Sequence, residues 1–153
     1  MQSLESKVPP PLMALLVGLL MWLASLLVTP IEVPFGLRAG VAVAIACIGA
    51  VIGVTAMVTF RRARTTMNPI KLEGASVLVT GGVFRITRNP MYLSLVLYLF
   101  AWVVYLSSWL ALLFLPLFVL YINRFQIAPE ERALSSLFGA QYAAYMGKVR
   151  RWL

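Results

Sequence analysis

Residues 91–122 read MYLSLVLYLFAWVVYLSSWLALLFLPLFVLYI, thirty-two positions without a charge. A membrane-spanning helix needs about 20 apolar residues, so this stretch is too long for one span and must fold into two. Ser107-Ser108 is its most polar step, which predicts a tight hairpin there between spans at about 91–106 and 109–123. Pro116 is expected to kink the second arm, since neighbouring helices can satisfy the carbonyl that a proline frees.

Working upstream, residues 39–60 form a clear span of 22 uncharged residues. Gly49 and Gly53 make a Gly-x-x-x-Gly step within it, which favours close helix packing. Cys47 lies among Ala, Ile and Gly and reads as a packing residue. A first span is expected at about 12–29, after a proline-rich start; its apolar run is long for a signal peptide and no clear cleavage site follows it. Four spans result. Downstream, Leu134, Leu137, Phe138, Tyr142, Tyr145 and Val149 recur at helical spacing, an amphipathic helix that can lie on the membrane or fold back over the middle loop. The expected fold is all-α: one integral membrane domain over residues 1–153, with four transmembrane helices and a C-terminal amphipathic helix.

The composition agrees. Apolar residues make up 61% of the chain and charged ones 12%, against about a quarter charged in soluble domains. The net charge of +8 raises the thought of nucleic acid, but in a membrane chain an excess of Lys and Arg sets topology. The loop 61–89 and the segment 123–153 hold eleven of the thirteen basic residues. By the positive-inside rule that puts both termini and the middle loop in the cytoplasm, as expected for an inner membrane protein of a prokaryote. No histidine is present, which excludes His-based metal sites and a His general base.

The chemistry-bearing residues gather in the two basic segments. Leu78-Val-Thr-Gly-Gly-Val-Phe-Arg-Ile-Thr-Arg-Asn-Pro-Met-Tyr92 carries glycines for a tight turn, two arginines and a helix start. Asn89 suits the cap and Pro90 the first helical position. A helix N-terminus beside Arg85 and Arg88 favours an anionic group, although each arginine alone also reads as a topological charge. Glu130 and Glu131, two of only five acids, either cap the amphipathic helix or contact a ligand. The two roles are compatible.

Together, Leu78–Tyr92, Glu130-Glu131-Arg-Ala-Leu134, Phe138-Gly139-x-x-Tyr142-x-x-Tyr145 and Val149-x-Arg151 resemble the isoprenylcysteine carboxyl methyltransferase family and, more widely, the membrane phospholipid N-methyltransferases. The resemblance covers about residues 65–152. It implies an S-adenosyl-L-methionine-dependent methyltransferase acting on a lipophilic acceptor, through a carboxyl, amine or thiol group, at the cytoplasmic face. It implies a cofactor region at about 69–92 and 124–151, with Ser76, Val77, Leu78 and Val79 lining the adenosine pocket. Phe84, Asn89, Pro90, Met91, Tyr92 and Glu130 complete the cofactor set, and Arg88 and Tyr92 are the candidate catalytic pair. Phe84 stands for the family's usual Tyr and Asn89 for its His. Gln126 replaces the arginine that the isoprenylcysteine enzymes turn toward their substrate carboxylate, with Arg124 nearby, so Arg124 and Gln126 are the candidate substrate residues. The acceptor is expected to approach from the bilayer between the third and fourth helices. Partners are thus a lipid or other lipophilic molecule and the membrane, not nucleic acid. Two other readings stand beside this one: a nicotinamide-dependent reductase, because sterol reductases share a similar C-terminal region, and a non-enzymatic membrane protein on the same scaffold.

Overall fold

A computed structural model describes residues 8–63 and 77–153. The secondary structure of the described residues is helical throughout. Helix α1 spans Pro10–Ser25 and α2 Phe35–Arg62. A 3-10 turn at Gly82–Arg85 leads to α3, Pro90–Leu106. Then come α4, Trp109–Leu112, α5, Phe114–Ile122, a π turn at Asn123–Ile127 and α6, Ala128–Lys148.

The hairpin lies where the sequence puts it. Ser107 ends α3 in the left-handed conformation, and the Ser108 hydroxyl accepts from the Ala111 amide to start α4. Ile31, in the α1–α2 linker, donates its backbone amide to the Ser107 carbonyl at 2.8 Å, so both links sit at one end of the bundle. Proline chemistry explains the broken outline of the last arm. Pro116 cannot donate to the Leu112 carbonyl, and the helix breaks at Leu113. Pro129 likewise cannot serve Phe125, and the backbone widens into the π turn just before it.

The expected first span shifts to residues 10–25, and α2 runs further at both ends than 39–60. By length and composition two helical stretches can cross a membrane: α2, and the rod from Trp109 to Lys148. Helices α1 and α3 are shorter apolar helices. Large apolar side chains cover the outside, with Leu15 72% and Leu27 80% exposed. Such a surface suits lipid rather than water. Cys47 belongs to this outer surface; it is exposed, not packed.

Helix α3 is central. It packs on α2, α1, α4 and α5, and Trp102 donates to the Gly18 carbonyl at 3.0 Å. Gly49 and Gly53 bring α2 close to α3, as a Cβ at Gly49 would lie 3.2 Å from Leu97 Cβ and one at Gly53 3.1 Å from Ser94 Oγ. Met21, Leu99, Phe118, Ile122 and Ile127 fill the shared core. The amphipathic segment is not a separate helix: it continues the last arm through the π turn and bends at Gly139, whose φ is +45°. Tyr142, Tyr145 and Val149 turn its apolar face onto Leu78 of the connector. Folding back over the loop is therefore the arrangement observed.

Candidate functional site

At the end of the bundle opposite the Ser107 turn, the connector, the first turns of α3, the lower part of α2 and α6 enclose a cavity of about 520 Å³. Val77, Leu78, Val79, Phe84, Asn89, Pro90, Met91, Tyr92 and Glu130 all line it, with Arg88 beside them. Tyr92 and Glu130 are 38 positions apart in the chain, and the structure brings their segments to one space. Ser76 lies outside the described residues. The volume falls in the range of small-molecule sites, roughly 300–1,000 Å³.

The walls differ in chemistry. Phe84 is buried, stacks edge-on against Phe60 at 5.1 Å and leaves its carbonyl to Tyr145, whose hydroxyl donates to it at 2.7 Å. Burial pushes the Tyr145 phenol up to about 12, so it stays a donor. Gly82, at φ +59°, makes the tight turn that points Phe84 inward. A second arm of the cavity is apolar and reaches Pro10, Pro11, Ala50, Gly53, Val54, Leu95 and Tyr98. It runs between the start of α1, α2 and α3, not between the third and fourth helices.

The polar wall is built around the two glutamates. Tyr92 donates a hydrogen bond to Glu130 Oε1. Removal of Glu130 from water raises its carboxyl to about 7; the Tyr92 bond works against the rise and the Glu131 charge adds to it. Glu131 is held from two sides: Arg88 Nη2 lies 2.9 Å from Oε1, and Arg151 reaches Oε1 through Nε at 3.1 Å and Oε2 through Nη2. Both glutamates line the cavity: Glu131 is matched by two arginines, and Glu130 is engaged by the Tyr92 hydroxyl. Neither glutamate caps a helix, because α6 continues an existing helix and its entry has no side-chain cap bond.

Asn89 occupies the cap position of α3, and Pro90 the first turn, yet Asn89 makes no cap bond. Its amide donates instead to the Arg151 carbonyl at 2.9 Å. The first turn of α3, lined into the cavity by Pro90, Met91 and Tyr92, is left without a side-chain cap. Arg85 is exposed, in keeping with a topological charge.

Gln126 and Arg124 do not line the cavity. Gln126 is fully buried and donates to the Val8 carbonyl at 2.9 Å, which ties the start of α1 to the π turn. Arg124 stacks over the Phe125 ring, 5.6 Å from its centroid. Sequence reasoning missed the contributions of α1 and α2 and the ion pair of Arg151. The Gly-x-x-x-Gly step was the available signal for α2, because the close approach it allows brings α2 against Ser94 beside the site.

A family model for phospholipid methyltransferase matches residues 37–141. Protein-S-isoprenylcysteine O-methyltransferase B of Arabidopsis thaliana is 26% identical over 137 residues, which are 90% of this chain and 70% of that protein. An uncharacterized protein of Haemophilus influenzae is 56% identical over 63 residues, 41% of this chain and the whole of that protein. No solved structure matches the chain.

Proposed function

The chain belongs to the phospholipid methyltransferase family, and we propose that it is an integral membrane, S-adenosyl-L-methionine-dependent methyltransferase acting on a lipophilic acceptor at the cytoplasmic face. In this reading residues 1–153 form one domain with four spans, α1, α2, α3 and the α4–α5 arm. The observation that carries it is the cavity, which unites every described residue of the expected cofactor set with Glu130 and an uncapped helix start.

The residues fit that cofactor. Val77, Leu78, Val79 and Phe84 offer an apolar slot for a purine. A carboxylate such as Glu130 accepts two hydrogen bonds from a ribose diol or pairs with an ammonium group. The open first turn of α3 suits a carboxylate, through its free N–H groups and the partial positive charge of the helix end. When bound, the cofactor supplies an electrophilic methyl group on a sulfonium. The protein then has to hold donor and acceptor in line and keep water out, which is worth several kcal/mol of the barrier. Tyr92 orients Glu130. Arg88 acts on the site through Glu131 and through the backbone before α3. The apolar arm between α1, α2 and α3 supports entry of the acceptor from the bilayer on that side.

Calorimetric titration of the purified chain with S-adenosylhomocysteine and with NADPH tests the reading. Binding of the first and not the second is expected. Binding of NADPH alone makes the chain a reductase, and binding of neither leaves a non-enzymatic scaffold. Incubation with a lipid extract and a labelled methyl donor then shows which acceptor takes the label.

A further inference from the structure

Residues Arg150–Trp152 make an unusual number of contacts with the site for so short a segment. The Arg88 amide donates to the Arg150 carbonyl at 3.0 Å. The Arg151 carbonyl accepts from Thr87 Oγ1 at 3.2 Å and from Asn89 Nδ2 at 2.9 Å. The Arg151 guanidinium forks across both oxygens of Glu131. Trp152 donates from its indole to Asn123 Oδ1 at 3.1 Å and packs against the bundle core. A strap therefore crosses the cytoplasmic end of the bundle from α6 to the step before α3 and on to the π turn.

Two of these contacts change what the cavity presents. An Asn at the cap position ordinarily turns its side-chain oxygen onto the first-turn N–H groups. Here the Asn89 side chain is drawn away by the Arg151 carbonyl, and α3 has no side-chain cap. The guanidinium of the same residue helps Arg88 to hold Glu131, the neighbour of Glu130. We propose that Arg151, seated by Trp152, is a positioning residue of the donor site: it keeps the first turn of α3 uncapped and Glu131 engaged, so that the helix start and Glu130 both face the cavity. Arg151 does not line that cavity and acts through Asn89 and Glu131. The inference rests on the methyl-donor reading for its ligand, but not for its effect on the backbone.

The test uses the full chain in lipid nanodiscs, with Arg151→Ala/Trp152→Ala to release the strap; Arg151→Ala alone keeps the backbone carbonyl that holds Asn89, so it should loosen Glu131 without slowing exchange in the first turn of α3. Loosening the strap frees Asn89 to cap α3. Amide hydrogen exchange at residues 91 and 92 of the ligand-free protein is expected to slow about fivefold, the size of one cap. S-adenosylhomocysteine is expected to bind about tenfold more weakly, through competition with the new cap and a looser Glu131. Adding Asn89→Ala to the released protein removes the competing cap, so it should restore fast exchange. A strap that only holds the fold together predicts no such reversal. The proposal is overturned if the released protein keeps wild-type exchange at residues 91 and 92, or if Asn89→Ala fails to reverse the change. If the wild-type chain does not bind S-adenosylhomocysteine at all, the methyl-donor reading fails, while the exchange measurements still decide the role of the strap.

Discussion

Glu130 is the residue on which the chemistry of the site turns, because its environment sets two pH dependences of opposite sign. Its carboxyl is raised from 4.5 to about 7, first by burial and then by the Glu131 charge, against the bond from Tyr92. The groups facing it are Glu131, Arg88 through that glutamate, and the neutral Tyr92 phenol. Below pH 4.5 the group is protonated in the folded and unfolded chain alike. Between 4.5 and 7 the folded chain holds the proton more tightly, so the stability that Glu130 contributes is present at low pH and lost as pH rises through 7. Ligand binding runs the other way, since a carboxylate pairs with an ammonium or accepts from a diol better than a neutral acid does. We expect S-adenosylhomocysteine affinity to rise about tenfold from pH 6 to 8 as the ionised fraction grows. In Glu130→Gln the affinity should be weak and flat with pH, and the thermal midpoint at pH 8 should exceed that of wild type. A wild-type titration that is flat across this range would refute the role of Glu130. At this scale the sequence was informative about identity and less so about partners. Glu130 and Tyr92 were legible from their motifs. The diversion of Asn89 was not, because its partner is a backbone carbonyl 62 positions away.

Helix α2 shows what periodicity conveys about an element and what it omits. Its run of uncharged residues announced a long helix, and its Gly-x-x-x-Gly step announced a close neighbour. The neighbour's identity required the fold, as did the fact that the contact stands beside the cavity. The small residues are needed where they are for a specific reason: at Gly49 the nearest atoms are Leu97 Cβ and the Ser94 carbonyl, at 3.2 and 3.3 Å, and neither belongs to the flexible end of a side chain. At Gly40 nothing lies within 4 Å. Gly49→Leu should therefore cost about 1–3 kcal/mol through forced separation of α2 and α3, seen as a lower thermal midpoint in detergent. Gly40→Leu should be neutral or slightly stabilising, since a helix prefers Leu to Gly by up to about 1 kcal/mol. Equal effects at the two positions would remove the packing argument. The broken last arm was only half legible. Pro116 and Pro129 signal interrupted hydrogen bonding, but the π turn that carries the helix past Pro129 depends on Ile122, Gln126 and Ile127 being buried in the bundle. With that support the chain continues from α5 through the π turn into α6.

Across the whole molecule, charge distribution and site position give one consistent arrangement. The Ile31–Ser107 contact marks one end of the bundle, and the cavity with Arg88, Glu130, Glu131 and Arg151 marks the other. The segments 61–89 and 123–153 hold eleven of the thirteen basic residues, the bias that keeps a loop in the cytoplasm. That residues 91–122 turn once was legible from length, because an uncharged run of 32 residues is too long for one span. How the spans enclose a site was not, since the apolar arm joins Pro10 and Pro11 of α1 to Val54 of α2 across helix α3, and neither segment carries a motif. The proposed orientation makes a definite prediction for labelling in intact cells. With Cys47 changed to Ser, Ile31→Cys in the α1–α2 linker should react with a membrane-impermeant maleimide added from outside. Ser135→Cys, on the exposed side of α6, should react only after the membrane is permeabilised. The reverse pattern would place the cavity on the outer side, away from a cytoplasmic methyl donor, and the proposed activity could not then be reconciled with the topology. Labelling of both positions from the cytoplasmic side would instead mean that α1 does not cross the bilayer. Its 16 residues extend only about 24 Å, against a hydrocarbon core of about 30 Å. The expected outcome thus requires the membrane to thin around α1, or polar residues flanking it to complete the crossing.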